Sequence, residues 1–206
     1  MSLPISTPIA VYRNAMESLA MAEMDRQLQT LSPEIAKSIN KADAIAYSLN
    51  RLPPMYFTTK EGGVLQQQRA QKILDMISRV VSLGIKAAQR NTKIFSTPLH
   101  PSFCQETEII TYHQPMFDES NAMEPLVTEE IERQLQKLSD EIVKSINKID
   151  IIAYTLNRLP PLYSTTKEGW NWQQELAKEN LIDMISRVTY LGIKAAQRKS
   201  KMLVAS

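Results

Sequence analysis

The chain has 206 residues, 43% of them apolar and 22% charged, with a formal net charge of +2 at pH 7. That composition suits a globular protein, and the near balance of charge argues against duplex nucleic acid as a partner. With only 5 glycines a Gly-rich phosphate loop or a turn-dense all-β fold is disfavoured, and the single cysteine, Cys104, can form neither an intrachain disulfide nor a cysteine zinc site.

In chain order, residues 1–14 read as a flexible arm. They lack the basic stretch and apolar core of a secretory signal, and no later apolar run is long enough to span a bilayer. A reducing, cytoplasmic compartment is expected, with no membrane partner. The first helix carries Met21, Met24, Leu28 and Leu31 on one face. A second starts at Ser32-Pro33-Glu34, where a hydroxyl caps and proline takes the first position. Its apolar set is Ile35, Ile39, Ala42, Ala46 and Leu49, and it must end before Pro53-Pro54. Met55 to Thr59 reads as a short extended piece. A third helix carries Ile73, Ile77, Val80, Gly84 and Ala87, whose small residues predict close helix approach.

The pattern then recurs. Arg26-Gln-Leu-Gln returns from Arg133, and Ala46-Tyr-Ser-Leu-Asn-Arg-Leu-Pro-Pro-Met-Tyr returns as Ala153-Tyr-Thr-Leu-Asn-Arg-Leu-Pro-Pro-Leu-Tyr. Asp75-Met-Ile-Ser-Arg-Val returns from Asp183, and Gly84-Ile-Lys-Ala-Ala-Gln-Arg from Gly192. The period exceeds that of a stacking solenoid, so this is a domain duplication. The predicted division is copy 1 at 15–93, a Pro-containing linker at 94–126, copy 2 at 127–201 and a tail at 202–206. The linker holds Pro98, Pro101, Pro115, Pro125, Cys104, His100 and His113. Each copy is too short for a robust core of its own. The expected fold is therefore mainly α: a tandem duplicated small helical domain, about three helices and a short extended segment per copy, packed as a pseudo-two-fold dimer.

The string Leu-Asn-Arg-Leu-Pro-Pro-x-Tyr, preceded by Lys41-Ala-Asp43 and again by Lys148-Ile-Asp150, resembles the signature of the ComFB family (late competence development protein family). The resemblance extends over each copy. It implies small helical proteins that act as dimers and serve as receptors for cyclic di-nucleotides, chiefly cyclic di-GMP, with cyclic di-AMP as the alternative ligand. It also implies a downstream protein partner such as a transcription regulator.

Several residues admit two readings. Asn50-Arg51 and Asn157-Arg158 suit a helix C-terminus, yet Arg also offers a planar fork for phosphate or guanine. Pro53-Pro54 and Pro160-Pro161 are helix stops, or rigid elbows that preorganise a site. Tyr56 and Tyr163 can fill a core or stack on a base; Tyr47 and Tyr154 are weaker candidates. Lys41 and Lys148 enter through the family signature. Asp43 and Asp150 could orient those lysines, accept from guanine, or form ordinary helix-surface pairs. Arg79 and Arg187 could complete a phosphate clamp or face solvent. Trp170 and Trp172 occur only in copy 2. Both histidines lie in the linker, outside the repeats, and no nucleophile elbow or zinc-protease pair is present, so the expected function is non-catalytic. No cofactor or metal is expected. A protein-docking adaptor without nucleotide affinity is the alternative.

Overall fold

The computed structural model describes residues 12–91 and 121–204. The expectations for Cys104, His100, His113 and the prolines of 92–120 lie outside the described residues. Copy 1 comprises β1 (Arg13–Asn14), α1 (Ala15–Leu28), α2 (Pro33–Ser38), α3 (Lys41–Leu49), β2 (Tyr56–Phe57), α4 (Lys60–Gln71) and α5 (Leu74–Asn91). Copy 2 comprises α6 (Met123–Leu135), α7 (Asp140–Ser145), α8 (Lys148–Leu156), α9 (Lys167–Asn180) and α10 (Ile182–Val204). The fold is a tandem duplicated helical domain. None of the described helices is long and apolar enough to cross a membrane.

Among the described residues each copy has five helices where periodicity suggested three. The second predicted helix breaks at Ile39, which is extended (φ −87°, ψ 123°). Asn40 causes the break: its side chain accepts from the Asp43 amide and starts α3 afresh. Asn147 caps α8 in the same way. A short polar side chain that bonds the backbone locally competes with continuation of the helix. The second addition is α4 and its counterpart α9, capped by Thr59 and Thr166. Each buries a single alanine, Ala70 or Ala177, so no apolar stripe announces them.

Two boundaries also move. Residues 13–14 belong to the folded domain, because β1 pairs antiparallel with β2, Arg13 opposite Phe57 and Asn14 opposite Tyr56. Copy 2 begins before residue 127: Met123 and Leu126 are buried in its core. Pro125 reads as a linker break in sequence, but it sits in the first turn of α6, where a missing N–H costs nothing.

Within each copy the last helix packs chiefly on the third, α5 on α3 and α10 on α8. Gly84 permits the first of these approaches; a Cβ there would strike the Ala44 carbonyl oxygen and the Ser48 hydroxyl. The core of copy 1 gathers Met16, Met24, Ile45, Leu49, Ile77 and Val81, and that of copy 2 Met123, Ile131, Ile151, Leu156 and Ile185. The two cores are not separate. Tyr163 of copy 2 is buried in the core of copy 1, and Tyr56 of copy 1 in the core of copy 2. Burying each ring contributes on the order of 2 kcal/mol. The copies are thus joined by reciprocal exchange of the segment after each Pro-Pro.

Candidate ligand cleft between the two copies

Each exchanged segment is held by the other copy's asparagine. The Asn50 side chain donates to the Tyr163 carbonyl (2.9 Å) and accepts from the Tyr163 amide (2.6 Å). Asn157 does the same to Tyr56, at 2.8 and 2.6 Å. A carboxamide used in this way replaces one residue of a β-ladder. The tyrosine hydroxyls meet near the pseudo-two-fold axis, 3.4 Å apart. Tyr56 donates to Glu124 (2.9 Å) and Tyr163 to Glu17 (2.6 Å). Asn14 donates to the Tyr163 hydroxyl and Asn121 to the Tyr56 hydroxyl. Burial raises the pKa of both tyrosines and of both glutamates, with Glu124 adding to the rise at Glu17.

This arrangement corrects part of the expected site. Tyr56 and Tyr163 are 3% and 2% exposed, so neither ring has a face open to a base. Asn50 and Asn157 already spend their amides on backbone. They are the lock between copies, and they fix what stands next to them.

What stands next to them is arginine. Arg51 and Arg158 are exposed, and each guanidinium lies 3.5 Å over the ring of Tyr47 or Tyr154. Each also donates to the carbonyl of that tyrosine, at 3.0 and 2.9 Å. Stacking and this hydrogen bond fix the plane of the fork, so little rotamer freedom remains to be lost on binding. Tyr47 and Tyr154 therefore matter as platforms for the arginines.

Arg158 opens into a cleft of about 320 Å³ between copy 1's β2–α4 region and copy 2's α8 and α10. Tyr56 and Asn157 form part of its wall; Asp150, Arg69 and Lys199 line it. Asp150 accepts from Thr58 of the other copy (2.7 Å) and from Lys199 (2.7 Å). Burial opposes ionisation of Asp150, but these two donors outweigh it and hold its carboxyl below the usual range. Asp43 makes the related cross-copy bond, accepting from Thr165 at 2.6 Å.

The remaining expected residues lie elsewhere. Lys41 pairs with Asp25 (3.2 Å) and Lys148 with Glu132 (2.7 Å), each tying the start of the third helix of its copy to the first. Pro53 and Pro160 are exposed and Pro54 and Pro161 half-buried, forming the elbows before the exchanged segments. Arg79 bonds back to the Asp75 carbonyl (3.2 Å). Arg187 lines a groove of about 630 Å³ between α6 and α10, with Lys137, Lys194 and Tyr190. That groove shares no residue with the cleft at Arg158. Trp172 is 64% exposed.

Sequence reading missed Glu17, Glu124, Asn14 and Asn121. Their signal was present: Asn14-Ala-Met-Glu recurs as Asn121-Ala-Met-Glu. It also missed Arg69 and Lys199, which stand where the copies differ and so leave no repeat to follow.

The family model for the Late competence development protein ComFB matches residues 13–92 and 120–200. The chain belongs to the ComFB family. The first match begins at β1 and the second one residue before Asn121, which bridges to Tyr163, in agreement with the early start of each folded copy. Among curated proteins none matches the chain. In this ComFB-family chain two covalently joined copies are related by the reciprocal Asn–Tyr lock.

Proposed function

We propose that the chain is a non-catalytic receptor for a cyclic di-nucleotide, cyclic di-GMP before cyclic di-AMP, acting in bacterial second-messenger signalling. The observation that carries this reading is Arg158, held flat on Tyr154 at the mouth of a cleft built from both copies. A planar guanidinium with fixed orientation suits a phosphodiester or the Hoogsteen edge of guanine. Resemblance to a family of cyclic di-nucleotide receptors supports the same ligand class. Because the cleft walls come from different copies, a bound ligand would favour one relative placement of the copies. It would thereby change the surface offered to a protein partner, by the difference in its affinity for the two placements.

A second reading has its own support. Met76 and Leu83 on α5, and Met184 and Leu191 on α10, are 43–51% exposed at matching helical positions. Repeated apolar side chains at the surface suit a protein-docking adaptor. Calorimetric titration of the full chain with cyclic di-GMP and then cyclic di-AMP separates the two. Heat that is lost in the Arg51→Ala, Arg158→Ala double variant supports the receptor. No heat and no thermal shift with either dinucleotide would leave the adaptor.

A further inference from the structure

The two copies are related by sequence, yet the surroundings that the repeat gives Arg51 and Arg158 are differently equipped. The cleft at Arg158 is lined by three cations, Arg69, Arg158 and Lys199, against one carboxylate, Asp150. Its formal charge is +2. Arg69 comes from α4 of copy 1, while Arg158 and Lys199 come from α8's end and α10 of copy 2. The positions that correspond across the repeat are fixed by register. Gln66 and Gln173 donate to the carbonyls of Tyr56 and Tyr163, and Ala70 and Ala177 are the buried alanines. Arg69 therefore corresponds to Leu176. Gly84-Ile-Lys-Ala-Ala-Gln-Arg and Gly192-Ile-Lys-Ala-Ala-Gln-Arg place Lys199 opposite Asn91. On the other side Asp43 and Arg51 are retained, but the two extra cations are replaced by leucine and asparagine. Among the described positions that correspond to the charged lining of the Arg158 cleft, only Arg51 and Asp43 carry charge, and they balance.

We infer that the duplicated chain has one strong anion site, formed by Arg69, Arg158 and Lys199, and that its counterpart beside Arg51 has lost most phosphate affinity. The proposal rests on the receptor reading for the identity of the ligand, but not for the existence of the site. The strong cleft takes a phosphodiester or pyrophosphate group. Arg158 supplies the flat fork, and Arg69 and Lys199 approach from the flanks. Asp150 holds Lys199 at 2.7 Å and so keeps that ammonium at the cleft wall. Each removed cation should weaken binding roughly tenfold, as expected for a charge-assisted hydrogen bond to phosphate. A ligand at this cleft bridges α4 of one copy to α10 of the other, so occupancy of one site suffices to clamp both copies.

The test is calorimetry on the full chain with cyclic di-GMP, in parallel with pyrophosphate. One tight dinucleotide per chain is expected, weakened roughly tenfold by Arg69→Ala and by Lys199→Ala, both exposed positions that the fold does not need. The gain-of-site variant, Asn91→Lys with Leu176→Arg, should raise the stoichiometry to two. Two equal sites in the unaltered chain, or affinity indifferent to Arg69→Ala and Lys199→Ala, overturns the inference while leaving the receptor reading intact. If neither dinucleotide binds, the receptor reading fails alone provided pyrophosphate binds and both substitutions weaken it. Pyrophosphate binding that ignores them sinks the site itself.

Discussion

The side-chain amide of Asn50 closes two hydrogen bonds on the backbone of Tyr163, the residue whose ring fills the core beneath. One side chain thereby fixes the register between two copies separated by a long stretch of sequence. Asn50→Ala would remove the side-chain acceptor of the Tyr163 amide and one of the two donors to the Tyr163 carbonyl, which keeps the bond from Gln173. The expected cost is about 1–3 kcal/mol, read as a lower urea midpoint. Asn157→Ala should cost a similar amount. Asn50→Asp keeps an acceptor for the Tyr163 amide but sets an anionic oxygen against the Tyr163 carbonyl oxygen, and that repulsion should make it worse than Asn50→Ala. Equal stability of the Ala variant and the unaltered chain would mean that the lock is incidental.

Exchange of Tyr56 and Tyr163 predicts how an isolated copy behaves. Residues 13–92 alone would lack the ring that completes their core and would expose Tyr56 together with its chain neighbours. This fragment should associate with itself or fail to fold, and its helicity by circular dichroism should rise with protein concentration. A concentration-independent, cooperatively folded monomer would show that the exchange is dispensable.

Gly84 and Gly192 occupy matching positions with different clearances. A Cβ at Gly84 meets backbone, the Ala44 carbonyl, whereas one at Gly192 meets only side chains, at 3.1–3.2 Å. Alanine gains about 1 kcal/mol over glycine in a helix interior. Gly84→Ala should still destabilise, by roughly 1–3 kcal/mol, because the helix must back away. Gly192→Ala should be close to neutral. Thermal melts of the two variants side by side would reveal the asymmetry, and identical shifts would contradict it.

Two pairs of glutamates act on stability in opposite directions with pH. Burial holds Glu17 and Glu124 above their ordinary value of 4.5, so the folded chain binds more protons than the unfolded one. Their contribution is full below pH 4.5 and is lost as pH rises through the raised folded values. Glu23 is held at about 2 chiefly by the hydrogen bond from Arg26. At Glu130 burial works against ionisation, but Arg133, Gln134 and Ser186 outweigh it and bring the group to about 2. Their contribution is present above pH 4.5 and is lost as pH falls toward 2. Glu17→Gln with Glu124→Gln should therefore flatten the fall in Tm as pH rises above 4.5. Glu130→Gln should lower Tm at pH 7, with the difference fading as pH approaches 2. A Glu17→Gln, Glu124→Gln melt profile parallel to that of the unaltered chain would show that these buried carboxyls do not titrate as described.

Sequence by itself determined the duplication, the predominantly helical class, the family and the residues that mark each copy. These are legible because apolar spacing, proline stops and a repeated string are local properties. It singled out Arg51, Arg158, Asp43 and Asp150, and left Asn50 and Tyr56 open between a structural and a ligand role, because an amide and a phenol serve a backbone or a base with the same atoms. Tertiary structure alone decided that choice: which backbone each asparagine meets depends on how the copies cross. It also decided that Arg69 and Lys199 stand beside Arg158, since residues from α4 of one copy and α10 of the other become neighbours only after the segments exchange.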